Sequence, residues 1–230
     1  MNDEYTIKPI ARIHSDFPTK FGIPRQAGIV KELRARIVFE PEYRDPEALR
    51  GIEGFSHLWL IWQFSENLRE SWSPTVRPPR LGGNERRGVF ATRSPFRPNA
   101  LGLSCVRLLG LDREKSEGIS LIVAGADLMD GTPIYDIKPY VPYADAHPEA
   151  RPGFAPDSGG TLEVSFLPEA EAEIPEEKLP ALRGVLANDP RPRYQNDSGR
   201  VYVLEFGGME ISFKTDGRCL TVIRAEKIGE

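Results

Sequence analysis

Apolar and polar positions alternate with a period of two in short runs: Tyr5–Ile13, Arg34–Phe39, His57–Phe64, Gly88–Ala91, Leu101–Leu109, Ile119–Ala126 and Tyr135–Lys138. Turn-forming residues separate them, which predicts short strands joined by tight connections. Within HLWLIWQF, His57, Trp59 and Ile61 share one face and Leu58, Leu60 and Trp62 the other. Both faces are largely apolar, so this strand is expected to be buried on both sides. The segment Pro142–Gly160, rich in proline, alanine and aspartate, ends the pattern. Beyond it a strand at Thr161–Phe166 precedes a helix at Glu176–Ala187, whose Pro180 predicts a kink or a later start. A hairpin, Val201–Phe206 and Glu210–Lys214 around Gly207 and Gly208, and a strand at Cys219–Arg224 complete the chain. This order predicts a mainly β protein, with a β-barrel over residues 1–145, a linker at 146–160 and a small α+β domain over 161–230.

Composition sharpens this picture. The 21 glycines and 21 prolines make up about 18% of the 230 residues, against roughly 12% in average usage. The result is a loop-rich globular protein. No apolar run approaches the length of a membrane span, and MNDEYTIKPI has neither the basic start nor the apolar core of a secretory signal, so a cytoplasmic protein is expected. Cys105 and Cys219 lie far apart in strand-like sequence and fit buried, reduced structural thiols. With the scattered histidines His14, His57 and His147 they form no metal pattern. His57 reads best as a buried histidine fixing a loop rather than as a general base.

The net charge of −4 argues at first against a nucleic-acid partner. It conceals two opposed blocks. Between Thr75 and Arg97, Arg77, Arg80, Arg86, Arg87, Arg93 and Arg97 face only Glu85, a balance of +5; between Glu163 and Lys178 six glutamates face one lysine, a balance of −5. Arginine unaccompanied by lysine suits defined phosphate, carboxylate or carbonyl partners, and these include buried ion pairs and loop anchors.

Four loops combine glycine, proline and polar residues as a ligand-binding rim would: Phe21–Gly28, Arg77–Asn99, Asp127–Tyr140 and Asp189–Tyr194. No G-x-G-x-x-G turn opens a helix, so a doubly wound dinucleotide site has no basis. Six segments together closely resemble the TsaA-like family in its bacterial two-domain, TrmO-type form: PRQAG (Pro24–Gly28), GFSHLWLIWQF (Gly54–Phe64), TVRPPRLGGN (Thr75–Asn84), GVFATRSPFRPN (Gly88–Asn99), DLMDGTPIYDIKPY (Asp127–Tyr140) and LANDPRPRY (Leu186–Tyr194). The resemblance covers nearly the whole chain. It implies an S-adenosyl-L-methionine-dependent tRNA (adenine-N6) methyltransferase acting on threonylcarbamoyladenosine next to the anticodon. The implied fold is a non-Rossmann β-barrel associated as a homodimer, whose partner is the tRNA anticodon stem-loop and neither DNA nor a membrane.

Carried over residue by residue, the resemblance implies cofactor binding by Arg25, Gln26, Ala27, Phe64, Ser65, Arg93, Leu103, Leu128, Met129, Asp130 and Gly131. The QFSENL stretch at Phe64 and Ser65 departs from the family's usual pattern. Arg93 suits the carboxylate of the methionyl group, and Asp130 suits its cationic side. Purely structural alternatives are core packing for Leu103 and Leu128 and an Asx-turn for Asp130. In DPRPRY, Asp189 can accept a hydrogen bond from the adenine amine and Tyr194 can stack on the base, which makes them the catalytic candidates. Alternatively Asp189 caps the preceding helix and Tyr194 plugs the domain junction. Arg191 and Arg193 are candidate readers of the substrate carboxylate, and Arg77, Arg80 and Arg97 candidate tRNA contacts. A second class of function is a noncatalytic RNA-binding barrel that uses the arginine-rich rim. A hydrolase lacks a recognisable nucleophile and base pair.

Overall fold

The computed structural model describes residues 5–68, 71–78, 85–113, 118–155, 160–191, 197 and 199–229. In the first part of the chain the strands are β1 (Ala11–His14), β2 (Arg34–Phe39), β3 (His57–Gln63), β4 (Thr75–Val76), β5 (Arg87–Gly88), β6 (Leu101–Asp112), β7 (Ser120–Ala124) and β8 (Pro133–Pro139). All but β4 and β5 close into an antiparallel barrel in the order β1-β2-β7-β6-β3-β8. Closure leaves no open edge among these strands. Ile13, Ile37, Leu58, Leu60, Leu121, Val123 and Ile134 fill the interior with no exposure to solvent. Gly102 admits the indole of Trp62: a Cβ at that position would lie 2.3 Å from Trp62 Cε2.

Several elements differ from the sequence pattern. Strand β1 starts at Ala11 because Tyr5 and Ile7 face solvent, and the run at Gly88–Ala91 supplies only the end of β5 before a 3-10 turn. Strand β3 is buried on one face only. Leu58, Leu60 and Trp62 point into the barrel, whereas His57, Trp59 and Ile61 are half-buried on its outside, paired with Arg107, Cys105 and Leu103 of β6. Asp145, in the short helix α1 (Pro142–Asp145), accepts a hydrogen bond from the Trp59 indole at 3.1 Å. His57 bonds Ser56 through Nδ1 at 2.9 Å and packs edge-on to Tyr140, and it is half-buried rather than buried. Both cysteines are free thiols and half-buried.

The second part holds β9 (Glu163–Phe166), β10 (Tyr202–Phe206), β11 (Met209–Thr215) and β12 (Cys219–Lys227), in the sheet order β10-β11-β12-β9 with β9 parallel to β12. Helices α2 (Pro168–Ala172) and α3 (Leu179–Ala187) cover it. Pro180 stands in the first turn of α3, so of the two options the later start is the one adopted. Among the described residues no helix is long and apolar enough to cross a membrane.

The core of this α+β unit recruits residues from the connection between β1 and β2. Phe17, Val30 and Leu33 are buried in it, and Phe21, Ile23 and Ile29 pack against it. The Phe17 ring meets Phe206 edge-on at 5.4 Å. A Cβ on Gly22 would lie 2.3 Å from Leu204 Cδ1, and one on Gly184 of α3 would lie 2.6 Å from Val30 Cγ1. Asp16 adds an ion pair with Lys178 and accepts the Gly207 N–H on its carbonyl at 2.8 Å. The two units are therefore interlocked, although the chain reads as a barrel followed by an appendage. Replacing Phe17 by Ala removes the ring at this junction and is expected to destabilise the protein by about 3–5 kcal/mol in denaturant unfolding. Hydrogen exchange of the β10 amides should speed up with it; unchanged exchange at β10 would show that Phe17 does not hold the junction.

Candidate cofactor and substrate site

The PRQAG loop lies where the β1–β2 connection touches the barrel. Gly28 donates its N–H to the Gly125 carbonyl at 2.8 Å, and Gly125 donates to the Leu33 carbonyl at 2.8 Å. Both glycines have positive φ, +78° and +75°, and a Cβ on Gly125 would stand 3.2 Å from Gly28 Cα. Only glycine allows two backbones this close in that conformation. Next to them Gln26 accepts a hydrogen bond from Arg93 through Oε1 and donates to the Arg25 carbonyl. Lys20 bonds the Glu66 carbonyl at 2.8 Å and Asn67 at 3.1 Å, which ties the same connection to the 3-10 turn that Ser65 opens. Phe64 donates its N–H to the Ala100 carbonyl at 2.8 Å, and its ring meets Trp62 at 4.3 Å. Gln26, Ala27, Phe64, Ser65 and Arg93 are thus gathered by contacts between segments distant in sequence.

The turn Leu128–Gly131 is fastened to the exit of β1. The Asp130 carboxylate accepts the Ser15 N–H at 3.0 Å and lies 3.3 Å from His14 Nδ1. Its backbone donates to the Phe17 carbonyl at 2.8 Å, and Gly131, at φ +75°, donates to Ile13 at 2.8 Å. The carboxylate therefore reaches across to β1 and keeps about half its surface in solvent, where a ligand can also meet it. Met129 receives the Thr132 hydroxyl on its carbonyl at 2.7 Å. Leu128 is core, and its carbonyl accepts the Ser15 hydroxyl at 2.9 Å. Leu103 is not core: at 58% exposure it lies on the outer face of β6, so the packing alternative fails there.

Asp127 sits between the two loops, and the sequence reading passed over it in favour of Asp130. It accepts the Ser104 hydroxyl at 2.6 Å, and Ser104 accepts the Trp62 indole N–H at 3.0 Å. The Ala27 N–H faces the same carboxylate. Burial raises the pKa of Asp127, while Ser104, the backbone N–H groups and the Arg93 charge oppose that rise. The available sequence signal was Ser104 itself, a hydroxyl at an inward position of an otherwise apolar strand.

On the arginine-rich arm, Arg97 donates to the Thr92 carbonyl at 3.1 Å and is a loop anchor in this structure. Arg86 donates to Thr75 at 3.2 Å, and Arg87 pairs with Glu85 and lies 6.0 Å from the Phe154 ring centre. Arg77 is exposed, as are Trp72 and Phe90, whose rings lie 6.3 Å apart. Arg80 lies outside the described residues, and so do Arg193 and Tyr194.

In the tail, Asp189 follows α3 with φ +48°. Its two carboxylate oxygens take the Arg191 fork, Nε at 2.8 Å and Nη2 at 3.0 Å. Arg191 is 6% exposed and lies against the Tyr202 ring. The pairing with Asp189 raises the pKa of Arg191. Two nitrogens of the Arg191 guanidinium are thus committed to Asp189. Asp189 is half-exposed beyond the pair. Among the described residues no three His, Cys, Asp or Glu side chains form a metal-binding group.

Two family models match the chain, the tRNA-methyltransferase O N-terminal domain over residues 12–146 and its C-terminal domain over residues 160–228. A protein of Escherichia coli strain K12 named tRNA (adenine(37)-N6)-methyltransferase is 42% identical over 209 residues, 87% of this chain and 88% of that protein. A protein of Eikenella corrodens with the same name is 48% identical over 164 residues, 70% of this chain and 92% of its own. A Pseudomonas aeruginosa protein, 41% identical over 90% of this chain and 91% of its own, carries a name pointing to S-adenosylmethionine-dependent methyl transfer. The crystal structure of TrmO from Pseudomonas aeruginosa superposes with a TM-score of 0.80 at 32% identity, covering 97% of this chain and 98% of that one.

The Asp189–Arg191 fork predicts coupled stabilities. Asp189→Ala leaves a buried guanidinium without its carboxylate and is expected to cost about 1–2 kcal/mol in urea unfolding, discounted for the partial exposure of the carboxylate. The double variant with Arg191→Met should recover much of that loss. Additive losses would refute the coupling.

Proposed function

The chain belongs to the tRNA-methyltransferase O family, and from that premise we propose that it uses S-adenosyl-L-methionine to methylate the exocyclic amine of an adenine in tRNA, specifically the threonylcarbamoyladenosine next to the anticodon. The observation that carries this reading is the linked series in which Phe64 packs on Trp62, Trp62 bonds Ser104, Ser104 bonds Asp127, and Asp127 faces the Ala27 N–H and the charge of Arg93, itself bonded to Gln26. The reading places the enzyme in the cytoplasm as a homodimer, with the anticodon stem-loop as its partner.

The residues present suit the cofactor. A guanidinium already held by an amide, Arg93 on Gln26, offers further donors to a carboxylate. The half-exposed Asp130 and the carbonyl-bearing turn around it offer negative potential to a cationic sulfonium and ammonium. The Phe64 face offers a surface to an adenine or a cation. When bound, S-adenosylmethionine supplies an activated methyl group for in-line transfer to nitrogen.

The protein's part is alignment, which in oriented reactions reaches effective molarities of roughly 10⁵–10⁸ M. The substrate nitrogen is a poor nucleophile because its lone pair is delocalised into the ring and the carbamoyl carbonyl; it carries one hydrogen, whose proton must leave as the new N–C bond forms, and an acceptor aimed at that hydrogen favours the transfer. Asp189 retains acceptor capacity beyond its Arg191 fork and is half-exposed, so it fits this task. Tyr194 is proposed to stack on the splayed base and Arg193 to read the threonylcarbamoyl carboxylate. Arg77 with the exposed rings of Trp72 and Phe90 suits a single-stranded loop, in which phosphates and base faces are both presented. Arg97 anchors the arm and, with Arg80, completes the proposed tRNA contacts.

Two measurements test the reading. Wild-type protein is expected to transfer a labelled methyl group to tRNA bearing threonylcarbamoyladenosine, and to leave tRNA lacking that group unmethylated. Equal transfer to both would overturn the substrate, and absence of S-adenosylmethionine binding would leave the noncatalytic RNA-binding barrel. Arg77→Ala should weaken tRNA binding and reduce the slope of log affinity against log salt by roughly 0.7–0.9. An unchanged slope removes Arg77 from the interface.

A further inference from the structure

The hydrogen-bonded series Trp62–Ser104–Asp127 sets polar groups against the hydrophobic core of the barrel. Its direction is fixed. The indole N–H can only donate, so Ser104 accepts from it at 3.0 Å and turns its own proton to Asp127 Oδ1 at 2.6 Å. A side chain at position 102 would displace the Trp62 ring, and only glycine there lets the indole take this position. Trp62, Gly102 and Ser104, from the adjacent strands β3 and β6, thereby orient one carboxylate in the segment after β7.

That carboxylate faces the loop. The Ala27 N–H and the Arg93 guanidinium lie on its other side, and Arg93 in turn bonds Gln26. One peptide further on begins the turn Leu128–Gly131, anchored by buried Leu128. We propose that Asp127 is a positioning residue that holds the Arg25–Gly28 loop and the Gln26–Arg93 pair in the arrangement that receives the cofactor, and that Trp62 and Ser104 hold Asp127. The proposal rests on the reading above for what the loop binds, and on the hydrogen bonds alone for how the loop is held. Burial works against the charge of Asp127, so an acid there is disfavoured unless its partners are needed. If the trio served only packing, apolar residues of similar volume would do as well.

The test compares Asp127→Asn, Asp127→Ala and Ser104→Ala with the wild type in two assays. Hydrogen exchange of residues 21–30 without cofactor reads the loop directly. S-adenosylmethionine titration, with KM for cofactor and for tRNA, reads the consequence. Asp127→Asn keeps the shape and an acceptor for Ser104, but loses the charge toward Arg93 and turns an amide N–H toward the Ala27 N–H. It is expected to lose loop protection and to raise the cofactor Kd and KM about tenfold, the scale of one charge-assisted hydrogen bond, with KM for tRNA unchanged. Ser104→Ala should give a smaller loss of about threefold in the same direction, since Asp127 keeps its loop partners. Asp127→Ala should match or exceed Asp127→Asn; if it fails to fold, the isosteric variant decides. Wild-type protection and cofactor affinity in Asp127→Asn would overturn the proposal, as would equal losses in cofactor and tRNA KM. If the wild type bound no S-adenosylmethionine, the functional reading would fall, and the exchange comparison would still decide whether Asp127 holds the loop.

Discussion

The connection from β1 to β2 has to satisfy two hydrophobic cores and a polar contact at once, and it carries Arg25, Gln26 and Ala27 and touches Arg93 and Asp130. Phe17, Val30 and Leu33 enter the α+β core, and burying side chains of this size contributes about 1.5–3 kcal/mol each. Between them Gly28 meets Gly125 at backbone distance on the barrel side. A loop that carries binding residues is normally the mobile part of a fold. Here its two ends are locked in one unit while its middle is hydrogen-bonded to the other, so moving the loop means opening the junction. The tail domain thus backs the loop proposed to receive the cofactor.

Charge follows the same logic of placement. Most of the basic block is used to shape the arm: Arg97 on Thr92, Arg86 on Thr75, Arg87 on Glu85 and Phe154, Arg93 on Gln26. In the acidic block, Glu171 lies 3.5 Å from Arg183, whose guanidinium also covers Phe166. A planar donor fork can hold one partner and still present positive potential. An anchored arginine can therefore define a loop and draw in a polyanion together, which the net charge of −4 hides.

How much of this was legible follows from which forces are local. The barrel strands were readable because alternation reports a buried face, and the order of strands then helix and hairpin gave the two-part architecture. The outer face of β3 misled because Trp59 and Ile61 are apolar yet only half-buried, and alternation cannot say what covers a face. The motif segments coincide with loops that the structure joins, since glycine at 28 and 131 and the Gln26–Arg93 pair lie within them. Asp127 was missed because its significance comes from Ser104, 23 residues earlier in the chain, and from Trp62, 42 residues before Ser104. The engagement of Arg191 was missed for the opposite reason. Its partner lies two residues away, but the fork forms only because Asp189 takes a left-handed backbone that side chains disfavour.

That conformation lies at the end of the helix that packs behind the proposed cofactor loop. Helix α3 presses Gly184 against Val30, close behind the PRQAG loop, and Asn188 bonds back to the Gly184 carbonyl at 2.8 Å. One residue later Asp189 closes the helix with its N–H on Leu186 at 3.1 Å and φ +48°. Glycine is the common residue at such a helix end, because any side chain there costs on the order of 1 kcal/mol. A chain that only needed to end the helix would gain by using it. Asp189 instead accepts the strain and is held by Arg191, so what the position supplies is a carboxylate at a fixed orientation. The same short helix touches the loop proposed for the methyl donor at Gly184 and ends on the carboxylate proposed for the methyl acceptor. Alignment of the two substrates can then be carried by the rigidity of α3 and the closeness of Gly184 to Val30.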